Sequence, residues 1–148
     1  MIDSINDFLT EDHRRLDDLL EEFQECKPKD SVRAKELLAR FVSALHRHLR
    51  WEEAILFPLF EQKSGQSGLT RTLLAEHQEI RERLEALSEK LEETDADSGY
   101  EEKMLVEELG GHNAREEYAF YPELDRLLSD EEKNRVFEAR ARIQDAGP

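Results

Sequence analysis

Cysteine is nearly missing from this chain. Cys26 is the only one in 148 residues, so an internal disulfide is excluded. It falls where a first helix should stop, ahead of "KPKD", and reads as a partly exposed thiol with no special chemistry. Long apolar runs are missing too. No stretch nears the 18 consecutive apolar residues that a membrane-spanning helix needs. The opening "MIDSINDF" has neither the basic n-region nor the apolar h-region of a secretion signal. Together these absences lead to the expectation of a soluble cytoplasmic protein. Helix breakers are scarce, with 6 Gly and 4 Pro. Positive charge is the minority: 21 Lys and Arg stand against 36 Asp and Glu, a formal net charge of −15. Such a surface keeps the chain in solution and disfavours both nucleic acid and anionic membranes as partners.

What remains is a composition rich in Leu, Glu, Lys, Arg and Ala, with 39% of residues charged, the mark of an all-α protein with charged outer faces. At this length one domain over residues 1–148 is expected. Apolar residues recur at helical spacing almost throughout. Ile5, Phe8, Leu9, Leu16, Leu20 and Phe23 mark a first helix capped by Ser4. Ser31 is placed to cap a second, striped by Leu38, Phe41, Val42, Leu45, Leu49, Leu56 and Leu59. "KSGQSG" is a turn. A third helix is predicted from about Leu69 to Leu91, an acidic loop "EETDADSG" follows, and a fourth runs from about Tyr100 to Leu128. "SDEE" at Ser129 has the form of a capping box closed by Glu132 and opens a short fifth helix over about 130–144, after which "DAGP" should fray. Four long helices joined by short loops predict an antiparallel up-down-up-down bundle over about residues 4–128, with the fifth helix outside it.

The chain repeats itself at an offset of 64 residues. His13 maps to His77, His48 to His112, Glu52 and Glu53 to Glu116 and Glu117, and Pro58 to Pro122. Leu9, Leu20, Val42 and Leu45 map to Leu73, Leu84, Val106 and Leu109. Two copies of one helical hairpin are implied, related by a pseudo-two-fold axis. His46 is the one histidine outside the pattern. It lies two positions before His48, about 200° round a helix, and is expected to face solvent. Pro58 and Pro122, ten residues after the paired histidines, should kink or end their helices beyond the histidine level.

His48 and Glu52 are separated by four positions, as are His112 and Glu116, so each pair shares one helix face, stacked about 6 Å apart along the axis. His13 and His77 point inward from the other two helices. Four imidazoles and two carboxylates then meet at one level of a bundle core, where unpaired burial is costly. Metal ions satisfy all six. Two ions fit better than one, because a carboxylate has two oxygens and can bridge. His13 and His48 would hold one ion, His77 and His112 the other, and Glu52 and Glu116 would span both. The donor set suits iron, zinc or copper, with no thiolate to select a softer ion.

The segments "EDHRRL", "HLRWEEAILFP", "AEHQEI" and "HNAREEYAFYP" resemble the hemerythrin-like, or HHE cation-binding, family, and the resemblance extends over roughly residues 4–128. It implies two iron ions joined by an oxo or hydroxo bridge, and binding of small oxidising ligands such as O2, NO or H2O2. Oxygen carriers of that family have a further histidine on the third helix, in an H-x-x-x-H pair. Here Arg81 follows His77 by four positions and Leu73 precedes it by four, so that ligand has no replacement. The carriers also place one carboxylate five residues after its histidine. Glu117 fits that spacing, while Glu116 fits the duplicated geometry. A set of four histidines and two glutamates is more similar to the branch linked to repair of iron centres and nitrosative stress. Binding and sensing, redox enzymology, and metal buffering all remain open on sequence alone. With no signalling segment attached, a sensor would have to act through a separate protein partner.

Two further expectations follow from the repeat. Asp17 and Arg81 are repeat mates, each four residues after a histidine. They are placed to form an ion pair beside the site, or Asp17 to complete one metal's shell, or both to be solvated charges. Gly110 and Gly111 replace His46 and Arg47 of the first copy. Either they thin the wall beside the His77–His112 position, or they allow close packing against the fifth helix.

Overall fold

The computed structural model describes residues 4–93 and 97–145, with side chains as far as 142. The described residues are helical with no strand. Helix α1 spans Ile5–Cys26. Helix α2, Ser31–Trp51, runs through a π-helical turn, Glu52–Leu56, into α3, Phe57–Ser64. Helix α4 spans Gly68–Glu92. Helix α5, Gly99–Arg115, runs through a second π turn, Glu116–Phe120, into α6, Tyr121–Leu127, and α7 spans Asp130–Asp145. Taken as continuous rods, α2–α3 and α5–α6 join α1 and α4 in the predicted four-helix bundle, and α7 is the fifth helix. Each rod packs on its neighbours in chain order, and α6 closes the ring against α1.

The helix ends follow local rules with one change. The Ser4 hydroxyl accepts from the Asp7 amide at 2.9 Å. The Asp125 carboxylate accepts from the amides of Ile5 and Asn6 at 2.6 and 3.0 Å, so α6 also caps α1. Helix α2 is capped by Asp30, not Ser31: the Asp30 carboxylate accepts from Arg33 N at 3.0 Å, and an aspartate one residue earlier takes the cap because its oxygen reaches the same orphan donors. Gly65 ends α3 with φ of 71°, the left-handed conformation that glycine adopts without strain. The predicted capping box forms in both directions, Ser129 N to Glu132 at 2.9 Å and Glu132 N to Ser129 Oγ at 3.2 Å. Of the acidic loop, residues 94–96 lie outside the described residues, as do 146–148 of the expected fraying end. Cys26 is the last residue of α1 and partly exposed.

The core is two apolar layers with a polar layer between them. Leu16, Leu20, Phe23, Leu45, Leu49, Ile80, Leu84 and Leu109 belong to one layer. Ile5, Leu9, Trp51, Leu56, Phe57, Leu73, Phe120 and Tyr121 belong to the other. Along α1 the break falls at His13, and along α4 at His77. The histidine level therefore has apolar packing on both sides, which excludes water and lowers the local dielectric.

Gly110 and Gly111 do not meet the close-packing expectation. A β-carbon at either position would have nothing within 4 Å, so neither supports close packing on α7. Gly110 lines a surface groove of about 570 Å³ with Asp17, Glu21 and Glu117, between α1 and α5, on the His13 side of the site. A methyl there touches nothing within 4 Å. With no packing gain to offset the helix-propensity cost, Gly110→Ala and Gly111→Ala are each expected to stabilise the protein by about 0.5–1 kcal/mol. Denaturant unfolding checks this, and a loss of stability would contradict it.

Candidate metal centre

All six predicted residues lie in the polar layer. His13, His48, His77, His112, Glu52 and Glu116 are between 0% and 3% exposed. The structure brings them together in two groups, each with donor atoms mutually within 4.8 Å. Glu52, His77, His112 and Glu116 form one; His13, His48 and Glu116 form the other. Four helices supply the donors, and the histidines pair as the repeat predicts. His46 is half-buried and outside both groups; burial and then the charges of Arg81 and Arg50 push its pKa down.

The four imidazoles share one orientation. Each presents Nε2 to the central glutamates. His13 Nε2 lies 3.2 Å from Glu116 Oε1, and His112 Nε2 lies 3.2 Å from the same oxygen. His77 Nε2 lies 3.1 Å from Glu52 Oε1, and His48 Nε2 is 3.4 Å from it. The last atom, His112 Nε2 and Glu116 Oε2 are all buried without a properly formed hydrogen bond. Buried polar atoms left so are rare and ask for an occupant.

Each Nδ1 faces outward to a carboxylate that the sequence reading did not assign. His13 pairs with Glu117 at 2.7 Å, His48 with Asp12 at 2.8 Å, His77 with Glu53 at 2.6 Å and His112 with Glu76 at 3.0 Å. These four acids obey the same offset: Asp12 maps to Glu76 and Glu53 to Glu117. The second glutamate of each Glu-Glu doublet thus serves a histidine on another helix. An Nδ1–H held by a carboxylate fixes the tautomer and leaves the Nε2 lone pair free, the usual support of a metal-bound imidazole. Arginines back three of the acids: Arg140 on Asp12 at 2.6 Å, Arg81 on Glu53 at 2.7 Å and Arg115 on Glu76 at 2.9 Å.

Arg81 therefore pairs with Glu53, not with Asp17. Repeat mates are related by the pseudo-two-fold and meet only on that axis; Asp17 lies instead in the groove between α1 and α5. Asp17 belongs to neither donor group. Burial raises its pKa, against the pull of His13 and with the push of Glu117. Leu73, at one of the two positions where a fifth histidine would stand, is fully buried in the core.

The prolines have a closer relation to the site than their spacing suggests. Proline lacks an amide proton and crowds the preceding turn. Both helices absorb this as a π turn that starts on the inward glutamate: the Phe57 amide bonds to Glu52 O, and the Tyr121 amide to Glu116 O. Residues five apart on an α-helix diverge by about 140°; the wider turn brings them onto one face. Tyr121 is thereby turned onto the donors. Its hydroxyl lies 2.7 Å from Glu52 Oε2, 2.9 Å from Glu116 Oε1 and 3.2 Å from His13 Nε2. Burial and the two carboxylates hold its proton on, raising its pKa well above the usual value. Its repeat mate is Phe57, which packs against His77 with ring centroids 5.2 Å apart. The two halves differ at this point.

The profile of the hemerythrin HHE cation binding domain matches residues 4–124. The chain belongs to the hemerythrin HHE cation-binding family. No curated protein and no solved structure matches it. The polar layer of this hemerythrin-like domain is thus the buried histidine and glutamate cluster of a cation-binding helical fold. No helix among the described residues is long and apolar enough to cross a membrane.

Electrostatics make the metal-free layer pH-sensitive. Burial disfavours a charged His48, but the nearby Glu52 charge and the bond to Asp12 outweigh it and push its pKa up to about 10. His112 is likewise pushed up to about 9, against burial, by Glu116, Glu52 and Glu76, and His77 is raised by Glu52 and Glu53. Burial also opposes ionisation of Glu52, yet His48, Glu116 and His77 hold it well below the usual carboxylate range. A histidine raised in the folded state contributes stability below its unfolded pKa of about 6.5 and loses it as pH climbs through the folded value; a depressed carboxylate loses its contribution as pH falls. Metal-free protein is therefore expected to melt at progressively lower temperature from pH 6.5 to 10. Metal competes with protons for Nε2, so loaded protein should gain on it over that range. Paired melting curves check this; a flat metal-free profile between pH 6.5 and 9 would contradict it.

Proposed function

We propose that this domain is a non-haem di-iron protein that binds or responds to small oxidants: O2, NO or peroxide. His13 and His48 would hold one iron and His77 and His112 the other, and Glu52 and Glu116 would supply carboxylate to the centre. The observation that carries this reading is the common orientation of the imidazoles. Four Nε2 atoms converge on two buried glutamates while every Nδ1 is tied to a carboxylate, and two of the Nε2 atoms lack a proper hydrogen bond. Such a layer leaves donors poised and unused unless cations occupy it. A donor set of imidazole and carboxylate without thiolate suits iron.

Iron, when bound, supplies the electrons and open positions through which a small oxidant is held. The protein contributes the rest. The outer carboxylates fix the rings, the apolar layers exclude water and larger solutes, and Tyr121 keeps a proton within 2.7 Å of Glu52 Oε2 and 2.9 Å of Glu116 Oε1. Stopped-flow spectra of the ferrous protein mixed with O2, NO and H2O2 test the reading. A stable adduct with one of them supports binding or sensing. Rapid repeated turnover would assign a redox enzyme, and no spectral response to any of the three would overturn the proposal.

A further inference from the structure

Helix α7 lies beyond the residues matched by the family, yet it reaches the centre. The Arg140 Nη2 donates to Asp12 Oδ2 at 2.6 Å, and the same oxygen meets His48 Nδ1 at 2.8 Å. Both side chains are almost wholly buried, 8% and 10% exposed. The guanidinium sits 4.8 Å from the Trp51 ring centroid and 5.8 Å from that of Phe8.

The repeat shows what this arginine replaces. In the second half, Arg115 backs Glu76, the acid on His112. The first-half mate of Arg115 is Trp51, fully buried and unable to neutralise Asp12. The guanidinium missing from position 51 is instead supplied by α7 and stacked on the tryptophan that took the place. Without it, a buried aspartate would rest on His48 alone, and a buried carboxylate short of partners rotates, protonates or destabilises its surroundings. Each outcome frees the His48 ring. By contrast Arg115 is about half exposed, where water can stand in for it. Other contacts dock α7: Lys63 pairs with Glu132, Lys133 lies 3.5 Å from Asp125, and Phe137 packs on Phe8 at 4.8 Å.

We propose that α7 is a working part of the centre: Arg140 is a positioning residue that holds Asp12, and through it His48, so that metal occupancy of the His13–His48 position depends on α7 being docked. The inference rests on the di-iron reading. It makes the two halves unequal: the acid on His112 is backed by an arginine of its own hairpin, Arg115, and the acid on His48 by the C-terminal helix.

The test uses the full chain loaded anaerobically with ferrous iron, and follows iron release to a coloured chelator. Arg140→Met keeps the aliphatic packing and removes the charge; Arg140→Lys restores the charge. Loss of a carboxylate that orients a metal-bound histidine typically weakens metal binding 10–100-fold. Arg140→Met is expected to speed release of one iron by about that factor, with the other unchanged, and Arg140→Lys to recover most of the difference. In a His112→Ala background Arg140→Met should remove the remaining iron. In a His48→Ala background it should add nothing, as befits residues acting in one chain of contacts. Release of both irons accelerated together, in step with a lower melting temperature, would reduce α7 to a structural prop and overturn the proposal. So would unchanged release in a variant that remains helical by circular dichroism. Wild-type protein that takes up no iron would overturn the di-iron reading itself, and this inference with it.

Discussion

Glu116→Ala is expected to empty both metal positions, whereas His48→Ala and His112→Ala should each cripple one. Glu116 belongs to both donor groups. Its Oε1 lies 3.2 Å from both His13 Nε2 and His112 Nε2, and its Oε2 is buried without a hydrogen-bond partner. Glu52 is its counterpart in the other half, with Oε1 3.1 Å from His77 Nε2 and 3.4 Å from His48 Nε2. His48 and His112 are repeat mates, each with its own outer acid, so their removal should have similar consequences. Losing a direct donor should cost more than the 10–100-fold that follows loss of an outer partner. His46→Ala should leave metal content unchanged, because that ring lies outside both groups. Metal analysis after reloading and desalting reads all four variants. Retention of two ions by Glu116→Ala, or loss of metal on His46→Ala, would show that the donors are wrongly assigned.

Removing the metal is expected to lower the melting temperature sharply while leaving the helices in place. Every rod contributes apolar residues to the layers on both sides of the site, so the bundle retains its core without the ions. What it loses is ligand binding to the folded state. An ion present at a thousandfold excess over its Kd stabilises by about 4 kcal/mol. For a chain near this size each kcal/mol moves Tm by about 2–4 °C, so each ion accounts for roughly 8–16 °C. Buried donors stripped of their cations add a further penalty. Calorimetry with and without chelator, alongside far-ultraviolet circular dichroism, measures both effects. An unchanged melting temperature after verified metal removal would mean that the polar layer is satisfied without ions.

The bundle and its six central residues were legible because two periodicities coincide. Helical spacing put Leu9, His13, Leu16 and Leu20 on one stripe, and the offset of 64 singled out the histidines from an otherwise ordinary pattern. The outer carboxylates were not legible for the opposite reason. Asp12, Glu53, Glu76 and Glu117 are acids in a chain with 36 of them, and an acid beside a histidine in sequence looks like a solvated face. The signal was present in the repeat: "EDH" and "AEH", and the two Glu-Glu doublets, place an acid at matched positions. Only the fold shows that each acid crosses to a histidine on a neighbouring helix. The π turns were hidden because one wide turn has no periodic signature, although a proline six residues after each inward glutamate is the local cause. Tyr121 was hidden with them, since α-helical geometry points it away from Glu116. Arg140 lies outside the repeat altogether, on a helix with few apolar residues, and no spacing rule connects it to Asp12.

The most direct test of the central claim is the iron content of purified, iron-reconstituted protein, read together with its optical spectrum. Two irons per chain with oxo-to-iron charge-transfer absorption in the near ultraviolet is the expected result. A single tightly bound zinc with no such band, or a chain that binds no metal with its histidine layer intact, would contradict it.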